Sequence, residues 1–348
     1  MPQDQIILIL FFGALVIAIA LTPISKWLAP HLGLVAKPRA RDLHTVPVPR
    51  MGGVAIFLAV MAGVLFLQRT LEFRQFGAMV FAAALVSFLG LADDRFSLSA
   101  YVRLIAQTLA ALFVWYTGVR TQMFTLDWLD IALTVFWIVG ITNAMNFLDN
   151  MDGLLAGICA VVCSFFLLLA VMNGQYLVAA LSAALVGACI GFLFYNLNPA
   201  SVFMGDSGSM FLGFLMACVA IKLRFAQVPD VSWMVPLVLL GLPIFDTSLV
   251  FISRIRRGKN PLTTPGKDHT SHRIANHGFS HREAVMICYL VCVALGIIAM
   301  LISMLDRISA FVLSAVLFAF ALYMLWYMEF GPWKLTSNTQ TTASPSSA

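Results

Sequence analysis

A chain of 348 residues that is 61% hydrophobic and 11% charged cannot clothe itself in water, because a soluble domain carries about a quarter charged residues. The formal net charge of +5 reads as a basic membrane face that attracts anionic lipid and phosphates, and gives no ground for a nucleic-acid partner. Apolar runs that are continuous rather than alternating exclude a β-barrel and predict an all-α, polytopic integral membrane protein whose backbone polar groups are satisfied within helices.

Eleven spans are predicted, near 5–22, 52–68, 76–92, 101–118, 128–145, 154–172, 177–195, 208–225, 234–253, 284–305 and 308–328. The first lacks a basic leading segment and a small-residue cleavage site, so it is read as a span rather than a signal peptide. Loops after odd-numbered spans collect Lys26, Lys37, Arg39, Arg41, Arg50, Arg95, the group from Arg254 to Arg282, and Lys334, with Arg103 at the mouth of the fourth span. The opposite side holds Arg69, Arg74, Arg120, Lys222, Arg224 and Arg307. The positive-inside rule makes the richer side cytoplasmic, with the N-terminus outside and the C-terminus inside. One membrane domain is expected over residues 1–330. Residues 331–348, Ser/Thr-rich toward their end, are expected to form a disordered cytoplasmic tail. All six cysteines fall inside apolar spans and read as small buried side chains.

The polar motifs recur at the cytoplasmic ends of these spans. The long loop after the first span, about 23–51, is basic and punctuated by proline; taken alone it is a topogenic loop. The Gly52-Gly53 pair at its end hints at close backbone packing. Asp93-Asp94 closes the third span. Adjacent carboxylates there can hold Mg²⁺, accept a proton, or serve as interfacial charge, and their opposition to the helix dipole favours a cation nearby. Asn143, Asn146, Asp149 and Asp152 recur every three residues. On a continuing helix they share one face. An interhelical hydrogen-bond seam would explain the asparagines but not the aspartates. Asp206 or Ser207 reads as the N-cap of the eighth span; beside the other carboxylates, Asp206 becomes a candidate metal ligand. Asp246 lies inside the ninth span, open to a functional role or to pairing with a neighbouring helix. The basic loop near 254–283 carries His269, His272 and Arg273, which read as phosphate contacts rather than half a zinc site. His277 and His281 read as surface residues.

In combination, PVPRMGG (47–53), ADD (92–94), NAMNFLDNMDGL (143–154), NPASVFMGDSGS (198–209) and KDHTSHR (267–273) resemble the polyprenyl-phosphate N-acetylhexosamine-1-phosphate transferase family. This is glycosyltransferase family 4, and the resemblance is to its WecA/TagO-like branch more than to MraY. It implies transfer of a sugar-1-phosphate, GlcNAc-1-phosphate first among the candidates, from a UDP-N-acetylhexosamine to undecaprenyl phosphate. UMP is released, on the cytoplasmic face of a bacterial inner membrane, as the first membrane step of an envelope polymer. It implies Mg²⁺ or Mn²⁺, with Asp206 as principal ligand and Asp94 and Asp152 as further ligands. By the same resemblance Asp93 activates or positions the lipid phosphate. Asp149, Asp152 and Asn146 shape the nucleotide and diphosphate site. Phe203 stacks on uracil, Asn196 lines that pocket, and His269, His272 and Arg273 hold the diphosphate with Arg50 nearby. Two positions depart from the family pattern: Asn150 stands for the first glycine of Asp-Gly-x-Asp-Gly, and Ser271 for one histidine of His-x-His-His.

A secondary transporter or flippase would carry its acids near the bilayer midplane on broken helices; only Asp246 and the asparagines point that way. A membrane metallohydrolase would need a closed ligand set. Sugar identity, the polymer begun and homodimer formation stay open in the sequence.

Overall fold

Backbone amides in lipid have no water to turn to, so each apolar run folds into a helix that satisfies them internally. The computed structural model describes residues 2–36, 47–67, 73–225, 232–264 and 266–334. The basic stretch 37–46 and the tail from 335 onward lie outside the described residues. So do Arg69 and, with it, part of the expected outer-face charge.

The helices are α1 (Gln3–His31), α2 (Gly52–Leu67), α3 (Phe73–Phe96), α4 (Ala100–Tyr116), α5 (Asp127–Leu148), α6 (Leu154–Met172), α7 (Tyr176–Asn196), α8 (Gly205–Lys222), α9 (Met234–Leu239), α10 (Gly241–Arg256), α11 (Thr270–Asn276), α12 (His281–Met304) and α13 (Arg307–Phe330). Among the described residues, eight helices are long and apolar enough to cross a membrane: α1, α3, α5, α6, α7, α8, α12 and α13. The predicted spans near 52–68 and 101–118 fall on α2 and α4, which are apolar but only 16 and 17 residues long. The predicted span 234–253 is not one helix: it is divided at Leu240 into α9 and α10.

Two other boundaries differ from expectation. α1 continues past residue 22 to His31 despite Pro23 and Pro30 inside it, so the expected loop at 23–51 starts later. α5 stops at Leu148, so Asp149 and Asp152 do not continue its face. Past α1, the chain forms a two-stranded antiparallel ribbon of β1 (Val35–Ala36) and β2 (Val48–Pro49), with Val35 opposite Pro49.

α8 forms the centre of the bundle, with 89% of its span enclosed, against 6% for α13. α3 and α5 pack on α8, while α1 packs on α7 and α2. The carboxyl ends of α3, α5 and α7 and the amino ends of α2, α4, α6 and α8 meet at one end of the bundle, joined there by hydrogen bonds.

The Gly52-Gly53 pair is a close backbone approach, as its sequence suggested. Gly52 N–H donates to Phe203 O at 3.0 Å and Gly53 N–H to Met204 O at 2.8 Å. A Cβ on Gly53 would sit 2.2 Å from the Gly208 backbone nitrogen, a separation that backbone cannot yield cheaply. Gly53→Ala is expected to destabilise the protein by about 1–3 kcal/mol, the usual cost of overpacking. Its unfolding midpoint in detergent should fall clearly below that of the parent; an unchanged midpoint would contradict the packing described.

Candidate active site

Each acidic motif reaches the shared end of the bundle from a different helix. Asp93 and Asp94 occupy the last turn of α3. Asp93 is buried, and its Oδ1 accepts the Leu98 N–H at 2.7 Å. Its Oδ2 accepts from Arg103 Nη1, in the first turn of α4, at 2.8 Å. The same Nη1 stands 3.8 Å from Asp206 Oδ2. Arg103 therefore bridges the carboxylates of α3 and α8. Sequence reasoning gave Arg103 only a topological role, because a cation at a span mouth is an ordinary interfacial anchor.

Asp206 is the second residue of α8 rather than its cap; Met204 holds the cap position and no side chain caps the helix. Asp206 Oδ1 accepts from Asn146 Nδ2 at 2.8 Å, and that amide also donates to Ser209 Oγ at 2.9 Å. Asp94 Oδ2 accepts the Ser207 N–H at 3.3 Å, where a helix N-terminus favours negative charge. The turn that allows this has Gly205 at φ +74°, and a Cβ there would lie 2.6 Å from Asp94 Oδ2. Glycine meets both demands: the left-handed backbone and the space.

The polar stripe of α5 divides in two. Asn143 donates to Gln107 Oε1 on α4 at 2.6 Å, an interhelical seam, whereas Asn146 reaches Asp206. Asp149 is the C-cap of α5, with φ −78° and ψ 58°. Burial pushes its carboxyl up to about 7; the charge of Asp206 and, more weakly, of Asp152 adds to the rise, and Arg50 offsets part of it. Asp152 instead braces the turn before α8, where its Oδ2 accepts from Asn198 Nδ2 at 3.1 Å and Ala200 N–H at 2.9 Å. Asn196, expected to line a uracil pocket, is buried with both ends of its amide on backbone. Its Oδ1 accepts from Gly153 N–H at 3.0 Å and its Nδ2 donates to Val202 O at 2.9 Å. Arg50, which is exposed, forms an isolated parallel bridge with Phe203, and Phe203 N–H donates to Pro49 O at 2.8 Å.

The histidine loop is anchored from below. Asp246, fully buried, pairs through Oδ2 with His269 Nδ1 at 2.8 Å and accepts the Thr270 N–H at 2.6 Å. Pairing with a neighbouring segment is thus the role the structure gives this intramembrane carboxylate. His272 is held far below the usual imidazole range, at about 3, first by burial and then by its neighbours His269, Lys267 and His281. It is a neutral ring at neutral pH.

Arg273, expected to hold the diphosphate, has its guanidinium on protein partners instead. It is 1% exposed, and its guanidinium donates to Asp268 O, Met328 O, Ser253 Oγ and Glu329 Oε2. The buried Glu329, in the last turn of α13, demands that cation and also accepts from Arg256 at 2.6 Å. Nearby, Asp268 takes two bonds of 3.0 Å from Arg254 and one of 2.6 Å from Arg257. Neither Asp268 nor Glu329 stood out in the sequence, since a single acid in a basic loop or helix end carries no periodic signal.

Among the described residues, no three His, Cys, Asp or Glu side chains form a ready metal cage. The carboxylate oxygens of Asp94, Asp149 and Asp206 are hard donors that suit Mg²⁺ or Mn²⁺ rather than a soft metal. Mg²⁺ is commonly held by one or two carboxylates together with substrate phosphates, so an incomplete cage fits that ion.

Comparison with known proteins matches residues 76–224 to the family model described as glycosyl transferase family 4. The chain is 39% identical over 294 residues, 82% of each chain, to a probable undecaprenyl-phosphate N-acetylglucosaminyl 1-phosphate transferase of Bacillus subtilis. The chain belongs to glycosyl transferase family 4. Other relatives in this family are a decaprenyl-phosphate N-acetylglucosaminephosphotransferase of Mycobacterium tuberculosis, 34% identical over 83% of this chain and 80% of the relative, and an undecaprenyl-phosphate alpha-N-acetylglucosaminyl 1-phosphate transferase of Escherichia coli, 26% identical over 89% and 88%. The family match contains Asp93, Asp94, Arg103, Asp149, Asp152 and Asp206. The histidine loop lies beyond it.

Arg254 and Arg257 hold the Asp268 carboxyl, against the cost of burial, at about 2, below its ordinary 3.8. A folded-state value below the unfolded one contributes stability that is present above the unfolded value and lost as pH falls through the folded one. The unfolding midpoint in detergent should therefore decline between about pH 4 and about pH 2. Asp268→Asn should remove that part of the decline; parallel curves for the two proteins would refute the assignment.

Proposed function

We propose that this protein transfers GlcNAc-1-phosphate from UDP-GlcNAc to undecaprenyl phosphate, with release of UMP, at the cytoplasmic face of a bacterial inner membrane. The reading starts an envelope polysaccharide or teichoic acid at its first membrane step. One observation carries it: Asp93, Asp94, Asp149 and Asp206 come from three helices to one end of an apolar bundle, with Arg103 between two of them. The names of the relatives support the sugar phosphate and the polyprenyl acceptor. The distribution of positive loops supports the cytoplasmic side.

The chemistry brings together two anions, a lipid phosphate and a nucleotide diphosphate. Asp94, Asp149 and Asp206 are the proposed oxygen donors to Mg²⁺ or Mn²⁺, which when bound neutralises the diphosphate and stabilises the departing UMP. Arg103 supplies a fixed positive charge beside Asp93, where the lipid phosphate is proposed to enter. Asp93 orients that phosphate through Arg103 and through its own carboxylate. Asn146 holds Asp206 in one rotamer. Phe203, beside Arg50, is the proposed stacking surface for uracil. His269, with its Nδ1 fixed on Asp246, presents its other ring nitrogen in a set orientation. The neutral His272 offers a hydrogen bond rather than a charge. Asp152, Asn196 and Arg273 are assigned to holding the walls.

A transporter is not favoured. Its best support was Asp246, which is paired with His269, and the remaining acids gather at one end of the bundle.

Purified protein supplied with UDP-GlcNAc, undecaprenyl phosphate and Mg²⁺ is expected to release UMP only when both substrates are present. Asp93→Asn and Asp206→Asn should each cut that rate by about a hundred-fold or more, the scale of losing a preorganised charge at a reacting centre. Parent-like rates in either variant would remove that residue from the mechanism. Chelation by EDTA should abolish release and excess Mg²⁺ or Mn²⁺ restore it; activity persisting in EDTA would rule the cation out. A panel of UDP-sugars in the same assay identifies the donor.

A further inference from the structure

The acidic turn and the histidine helix meet through a contact that the proposed reaction does not itself use. Ser271, 1% exposed in the first turn of α11, donates its Oγ–H to Asn150 Oδ1 at 2.7 Å across 121 positions of sequence. The other end of the Asn150 amide donates to Phe147 O at 3.0 Å, in the last turn of α5. Helix-end carbonyls lack intrahelical partners, so this second bond satisfies a group that needs one. With its nitrogen on a carbonyl and its oxygen on a hydroxyl, the Asn150 amide has one orientation.

The geography of the remaining bonds gives this contact its importance. Asp246 ties His269 and Thr270 to α10. Arg273 ties the same short helix to α10 and α13 through Ser253, Met328 and Glu329. Among the described hydrogen bonds, those anchors lead away from the carboxylates; the Ser271 bond leads toward them. Asn150 adjoins Asp149, the C-cap of α5, and Ser271 adjoins His272.

We infer that Asn150 and Ser271 are a positioning pair that fixes the Asp149 turn against the His272 helix and so sets how tightly the nucleotide-sugar is held. The inference builds on the proposed transferase reading, in which these two walls face the diphosphate. Neither residue touches the reacting atoms; the pair acts through Asp149 and His272. Loss of the bond frees one wall from the other, which weakens the nucleotide side of the site and leaves the lipid-phosphate side, built on Asp93 and Arg103, in place.

The test is a double-mutant cycle of N150A, S271A and the double variant, with UMP release measured while each substrate is varied in turn and Mg²⁺ is held constant. Each single variant is expected to raise KM for UDP-GlcNAc about five- to ten-fold, the worth of one buried hydrogen bond. KM for undecaprenyl phosphate should stay within about two-fold of the parent, and the double variant should be no worse than either single one. Titration calorimetry of UDP-GlcNAc with Mg²⁺ and no lipid acceptor should show the same weakening without turnover. If S271A does not fold, N150A alone must still show the split between the two KM values. An active parent with variants that match it, lose kcat alone, shift both KM values equally or combine additively overturns the pair. A parent that neither binds nor consumes UDP-GlcNAc overturns the transferase reading and the pair with it.

Discussion

Four carboxylates crowd the end of a bundle that is otherwise hydrocarbon, and their mutual repulsion has to be absorbed by whatever surrounds them. Arg103 takes up part of it by standing between Asp93 and Asp206. Amide donors take up more: Asn146 on Asp206, the Ser207 N–H on Asp94, the Leu98 N–H on Asp93. What is left shows in Asp149, whose proton is held up to about 7 by burial and by its acidic neighbours. A site in that condition attracts cations.

The basic loop behaves differently from a simple phosphate trap. Arg254 and Arg257 are spent on Asp268, and Arg273 and Arg256 on Glu329. The buried Asp268 and Glu329 fix the base of α11 to α10 and α13, because removing their arginines would strand a carboxylate away from water. These four arginines thus build a support for α11, and the same segment carries a neutral His272 and a His269 whose Nδ1 pairs with Asp246. Positive field near the carboxylates comes instead from Arg103 and Arg50, on separate elements.

Much was legible in the chain. The helical class followed from composition, since lipid permits few other solutions. The shared end of the acids followed from counting spans, and Gly52-Gly53 announced a close approach that the Gly208 backbone now explains. Other features were hidden. Nothing in the local pattern distinguished Arg103 from an interfacial anchor. The three-residue spacing of Asn143 to Asp152 suggested one continuous face, but α5 ends at Leu148 and the acids sit in a turn. Asn150 and Ser271 registered as two unrelated departures from the family motifs; they are the two ends of one hydrogen bond.

The residue order was enough to decide that this chain is membrane-embedded, helical and acidic at one face. Hydrophobicity and charge act on each segment separately, so they can be read segment by segment. The choice of partners came with the fold alone: Asp246 with His269, Glu329 with Arg273, Asp152 with Asn198. Hydrogen bonds and ion pairs act over about 3 Å, and residues 23 to 56 positions apart reach that distance only when helices have packed.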